Sequence, residues 1–251
     1  MRESLAFPDV AELRTALAEP PIIAGNTRFK YSNHGFGLIG LVIEAVTGEP
    51  YTDWIRHTII DGAGLAETTP DMPIADDVPV ASGHSGRLPF GRRVVIPGDN
   101  PTNALAAATG FVSTAGDLAK FFAAVDPPAR RSPLAVESRR EMIRRQWRDP
   151  PSSRERYYGL GIWSGNIGRW NWFGHGGSFQ GFIGGTAGFP GHGLSVSILT
   201  NARDGPADQW VDGVNQILTF CQARRIVAAR ARLEREMVEL MGRGGFGANG
   251  R

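Results

Sequence analysis

The 251 residues carry 27 Lys and Arg against 25 Asp and Glu, a formal net charge of +2, with 41% hydrophobic and 21% charged residues. That balance argues against a nucleic-acid binder with a basic surface. The composition suits one large or two small globular units, and no apolar run is long enough to span a bilayer. A single cysteine, Cys221, excludes an internal disulfide and a cysteine-rich metal site, and its helical surroundings mark it as a packing residue.

Val10, Leu13, Ala16 and Leu17 recur at helical spacing and predict a short amphipathic helix over 9–19, ended by Pro20 and Pro21. The N-terminal residues alternate charge with apolar side chains instead of forming a signal-peptide core. As written, the chain is expected to be cytoplasmic, and an export signal would sit upstream of Met1. After the extended stretch "IIAGNTRFKYSN", the residues Phe36, Leu38, Ile39, Leu41, Val42, Ile43, Ala45 and Val46 predict a helix apolar on most sides and therefore buried. Gly48 and Pro50 close it. A further helix is expected over 51–60, followed by an irregular Gly-, Pro- and Asp-rich excursion to about residue 103.

In "STAGDLAKFFAAV" a Ser/Thr followed three residues on by Asp117 marks a capped helix start, with Leu118, Phe121, Phe122 and Val125 on the inner face. An arginine-rich helix is expected over 134–147. From Tyr157 the pattern changes to short aromatic and β-branched runs, "YYGLGIWSG", "RWNWFGHGG", "SFQGFIGGTAGFP" and "GLSVSILTN", separated by turn residues. They read as consecutive antiparallel strands. A long amphipathic helix over 207–241 follows, and residues 242–251 are expected to be a disordered tail. The fold class is α+β, a helical region and then an antiparallel sheet packed by a C-terminal helix.

Gly35, Gly37 and Gly40 spell G-x-G-x-x-G. No buried strand leads into the first glycine and no βαβ alternation follows, so close helix packing is the better account and no dinucleotide cofactor is expected. The five histidines, His34, His57, His84, His175 and His192, show no metal-ligand spacing. The nucleophile elbow G-x-S-x-G fails by one residue in "GHSG" and again in "GGSFQG".

What remains is "YSN" at 31–33 together with "GHGGS" at 174–178. With "FKYSNHGFGLIGLVIEAVTGEPY", "GAGLAETT", "ATGFVSTAGDLAKFF", "YGLGIWS", "FGHGGSFQGF" and "VSILTN", in that order, they make the chain resemble the serine β-lactamase and penicillin-binding protein superfamily. The branch it is most similar to holds class C β-lactamases, D-alanyl-D-alanine carboxypeptidases and related esterases. The resemblance implies acyl transfer through a serine acyl-enzyme, on an amide, lactam or ester of a small molecule or peptide.

It also implies roles for particular residues. Tyr31 would move a proton near the nucleophile, as base or relay, where nearby cations lower its pKa. Asn33 would hold a substrate amide, and His175 would orient Tyr31 or meet a substrate carboxylate. The backbone N–H of Ser178, beyond Gly176 and Gly177, would be an oxyanion donor. Read without the resemblance, Tyr31 is a helix-flanking aromatic, Asn33 a helix cap and His175 a turn residue.

One element of the family is absent from the sequence. Lys30 and Lys120 are the only lysines, and three residues before them stand Thr27 and Asp117, so the 251 residues hold no Ser-x-x-Lys. The expectation is a C-terminal portion of a β-lactamase-related domain over 1–241, incomplete at its N-terminus and inactive alone. Its sheet would be a three-stranded remainder, prone to aggregate. Three origins fit: a start placed too far downstream, a degenerate fragment, or one half of a split enzyme whose partner supplies the serine. The alternative from another class is a non-catalytic binding module that keeps the cleft.

Overall fold

The computed structural model describes residues 7–98, 100–149 and 155–243. Asp9 caps α1 (Val10–Ala18) in a reciprocal box with Glu12, and Leu13 is the side chain it buries. Helix α2 (Asn33–Thr47) packs Gly37 against the 103–105 turn so closely that a β-carbon there would meet the Ala104 carbonyl and Leu105. Its other side contradicts the expectation of burial. Leu38, Ile39, Val42 and Val46 are exposed, Val46 by 80%. Apolar character on every side says that a helix wants covering, and here only one side of α2 is covered.

Helix α3 (Tyr51–Ile55) continues into a π-helical turn over Arg56–Ile60. The excursion that follows is irregular but anchored. The Asp71 carboxylate takes the Thr102 N–H, Thr69 pairs with Val112, and a two-residue hairpin forms between β1 (Gly83–His84) and β2 (Val95–Ile96). An Arg93–Asp204 ion pair and the His84 ring on the Asn201 carbonyl tie that hairpin to the end of the sheet.

Among the described residues the sheet has six antiparallel strands in sequence order, not three. They are β3 (Trp147–Arg148), β4 (Arg156–Tyr158), β5 (Trp163–Ile167), β6 (Trp170–Phe179), β7 (Phe182–Phe189) and β8 (Leu194–Thr200). The run "YYGLGIWSG" supplies two of them. It breaks where Gly159 donates to the Ile162 carbonyl and Gly161 takes φ +74°, and β3 is built from residues expected to end a helix.

Helices α4 (Ala115–Val125) and α5 (Val136–Ile143) cover one face of the sheet, where Phe122 and Val125 meet Ile162 and Phe173. The 37-residue α6 (Ala207–Arg243) covers the other, with Val211 and Leu218 against Trp170, Ala187 and Phe189. The tail expected from 242 lies outside the described residues from 244 on. Cys221 on α6 is exposed, so it is not the packing residue the sequence suggested. Among the described residues no helix is long and apolar enough to cross a membrane.

Thr114 caps α4 by accepting the Asp117 N–H. Asp117 does more than begin that helix. Its fully buried carboxylate accepts from the Glu67 N–H at 2.7 Å, the Thr68 hydroxyl at 3.1 Å and the Lys120 ammonium at 2.8 Å, pinning the start of the long excursion to α4.

Candidate active site

Tyr31 lies on the extended approach to α2. Ser32, not Asn33, is the cap: its hydroxyl accepts the Gly35 N–H at 3.1 Å, and Asn33 opens the first turn, exposed. The short hydroxyl reaches back to the helix from a β-region backbone, which leaves the next side chain unused by the helix. The Tyr31 ring then falls beside the sheet, its centroid 6.1 Å from that of His175 at 40° and 5.9 Å from that of Tyr158, edge-on at 82°.

His175 sits on β6 just past the end of β5. The β5 register ends at Trp163 opposite Gly174, so residues 175–179 pair with β7 alone. Along that stretch successive backbone N–H groups alternate in direction, so one edge offers donors and acceptors that no described strand takes up. Gly176, Gly177 and Ser178 are exposed on it, and a β-carbon at Gly177 would have nothing within 4 Å. Gly174 is the opposite case, since a β-carbon there would run into the Thr186 carbonyl.

Behind the Tyr31–His175 pair stands an aromatic wall, built from residues of the resembling segments to which the sequence attached no role. Tyr158 and Trp163 meet at 4.5 Å between centroids, and Phe29 lies 5.1 Å from the first and 5.4 Å from the second. The Arg156 guanidinium covers the Trp163 ring at 4.1 Å and is held by Asp149, which is itself buried. The Tyr158 hydroxyl is 3.4 Å from His175 Nε2, and His175 Nδ1 is 2.6 Å from the Gly176 carbonyl oxygen. In the sequence Tyr158 stands in the strand run and in the resembling segment "YGLGIWS", with no site role attached. Its place here depends on the register Tyr158–Trp163–Gly174, which sequence does not reveal.

Partial burial among these rings pushes the Tyr31 phenol above its ordinary value, opposite to the lowering by cations that the sequence reading allowed for. The Tyr158 phenol is pushed up further, first by burial and then by proximity to Tyr31. Three of the other histidines lie elsewhere, His57 on Glu49 at 3.0 Å, His84 on the Asn201 carbonyl and His192 against the Trp170 ring, whereas His34 follows Asn33 in the first turn of α2 and is exposed. The structure thus brings Tyr31 and His175 together, sets Asn33 two residues beyond Tyr31, and strings Gly176, Gly177 and Ser178 along the open edge.

A D-stereospecific amidohydrolase from Streptomyces sp. has a similar structure, with a TM-score of 0.64 and 25% identity over 78% of this chain and 57% of its own. A D-amino acid amidase from Ochrobactrum anthropi SV3, crystallised with L-phenylalanine amide, gives 0.60 and 22% over 79% and 59%. A β-lactamase/D-alanine carboxypeptidase from Pseudomonas syringae gives 0.67 and 18% over 84% and 65%, and at that identity the likeness is one of fold. The chain therefore spans less than two thirds of each of these structures. None of the curated proteins matches it. A family model described as Beta-lactamase matches residues 3–218, and with that span of the chain accounted for, this protein belongs to the beta-lactamase family of serine hydrolases.

Proposed function

We propose that this chain furnishes the tyrosine, asparagine, histidine and strand-edge donors of an acyl-transfer site that hydrolyses amide bonds of small or peptide substrates. The observation that carries the reading is the approach of Tyr31 to His175, 6.1 Å between the centroids of rings from distant parts of the chain. In the proposed reaction a serine hydroxyl attacks the carbonyl carbon, its proton passes by way of Tyr31 to the departing amine, and water then hydrolyses the ester. The open edge at Gly176 to Ser178 supplies N–H donors to the oxyanion, and Asn33 receives the substrate's amide. His175 orients Tyr31.

The Tyr31 phenol holds its proton at neutral pH, since its ordinary value is 10.0 and burial moves it further up. To accept a proton it needs a cation beside it. The lysine of a Ser-x-x-Lys element would be that cation. The 251 residues contain no such element, so the proposed site takes both serine and lysine from another stretch of polypeptide. The amide-cleaving proteins among the structural neighbours support amides over lactams as substrates, with esters the next class to test.

The lack of Ser-x-x-Lys also favours a second reading, a binding module that holds an amide ligand without turning it over. One experiment separates the two. The native polypeptide, isolated from its source cells, is treated with a fluorophosphonate and its intact mass and labelled peptide are determined. Label on a serine of a Ser-x-x-Lys element, in the same chain or in a co-purified partner, supports the hydrolase. Unlabelled protein that binds D-phenylalanine amide, with binding lost on Asn33→Ala, supports the module.

A further inference from the structure

We infer that Tyr158 is a positioning residue for His175, selecting which imidazole nitrogen carries the proton and fixing the ring beside Tyr31. The functional meaning of that role rests on the reading of His175 given above, while the role itself follows from the geometry. A carbonyl oxygen only accepts, so the 2.6 Å contact between Nδ1 and the Gly176 oxygen places the ring's hydrogen on Nδ1. The Nε2 of that neutral tautomer is an acceptor, and the Tyr158 hydroxyl, 3.4 Å away, is the donor that meets it.

Tyr158 is suited to the task by its surroundings. It is 6% exposed, and burial pushes its phenol above the ordinary value, so at neutral pH the hydroxyl keeps its proton and can donate. Its ring is clamped edge-on by Trp163 and backed by Phe29, and Trp163 is clamped in turn under Arg156. The two β-ladders, Tyr158 opposite Trp163 and Trp163 opposite Gly174, bring the hydroxyl to the residue next to Gly174, which is His175. At 3.4 Å the hydrogen bond is long, so its effect is a bias in tautomer and orientation.

The test is nitrogen-15 NMR of the histidine-labelled chain, with His175 assigned by its disappearance in His175→Gln. In the unsubstituted protein His175 is expected as the Nδ1–H tautomer. Tyr158→Phe keeps the ring and removes the hydroxyl, and should move the tautomer ratio toward Nε2–H by about 2- to 10-fold. An Nε2–H imidazole in the unsubstituted protein overturns the inference, and so does a ratio unmoved by Tyr158→Phe. If Tyr158→Phe does not fold, 3-fluorotyrosine at position 158, with its stronger donor hydroxyl, should deepen the Nδ1–H preference, and no change would overturn the role. A tautomer that shifts as expected upholds Tyr158 even if His175→Gln leaves amide binding intact, in which case it is the functional reading that fails.

Discussion

The phenol of Tyr31 and the imidazole of His175 come within 6.1 Å of each other although one precedes the first long helix and the other lies on a central strand of the sheet. The proposed chemistry needs the oxygen of the first. Tyr31→Phe keeps the ring contacts with Phe36, Tyr158 and His175 and leaves the melting temperature near that of the parent. In the polypeptide or complex that carries the serine, it should lower kcat on the order of a hundred- to ten-thousand-fold. Turnover of a D-amino acid amide measures this, and an unchanged kcat would remove Tyr31 from the reaction.

Two glycines on β6, three positions apart, should respond in opposite ways. Gly174→Ala drives a methyl group into the Thr186 carbonyl and is expected to cost about 3 kcal/mol in a urea unfolding curve. Gly177→Ala meets nothing within 4 Å and should change stability by less than about 0.5 kcal/mol while weakening amide binding at the open edge. Equal losses of stability at both positions would contradict the assigned edge.

Alkaline stability depends on buried phenols. Burial pushes the Tyr51 pKa from 10.0 up to about 12, so the fold favours the protonated form. The sign follows: this contribution is complete below pH 10.0, the ordinary value, and is lost as pH rises through the folded value near 12. Thermal melts across that window should fall less steeply for Tyr51→Phe than for the parent.

Asp117 governs the acid side. Burial alone would raise its pKa, but the Lys120 ammonium, the Glu67 N–H and the Thr68 hydroxyl together hold it below the ordinary 3.8. A depressed folded value contributes stability that is present above 3.8 and lost as pH falls through the lower, folded value. Asp117→Asn should flatten the acid limb of the stability curve. Lys120→Ala, which removes an exposed partner, should alter it far less than Asp117→Ala, which takes the acceptor from the part-buried Glu67 N–H and the buried Thr68 hydroxyl.

The bare side of α2 should govern solubility. Val42 and Val46 are four residues apart and exposed by 51% and 80%. Val42→Glu with Val46→Lys places an acidic residue one turn before a basic one, which supports the helix while breaking the apolar row. Light scattering of the double variant should show less self-association than the parent at equal concentration, with helix content unchanged.

The sequence made most of the helices and strands legible because period and turn residues are local signals. Burial of α2 was misread because periodicity reports that Leu38, Ile39, Val42 and Val46 are apolar, and nothing about what lies beside them. The sheet was undercounted because Gly159 and Gly161, read as part of one strand, form the turn between two. At the site, Tyr31 and His175 were singled out from motif resemblance. Tyr158 was passed over because its contact with His175 arises from strand register, a property of three segments at once. For Asp117 a local signal did exist, a lysine one helical turn further on at position 120, but burial makes that pair an anchor, where exposure would have left it a surface ornament.

Helix α6 is longer than the sheet it lies on. Its 37 residues extend roughly 55 Å at about 1.5 Å per residue. The eight residues of β7 cover only about 27 Å at close to 3.4 Å each. Among the described residues, the α6 side chains in the core cluster with the sheet, Val211 and Leu218, belong to the first third. One continuous helix therefore answers to two sources of stability. Its beginning shares the fate of the sheet, and further along it the Arg232–Glu236 pair, one turn apart, ties the helix to itself. A loosening of the core would reach that first part directly, because its side chains are the ones seated on the sheet.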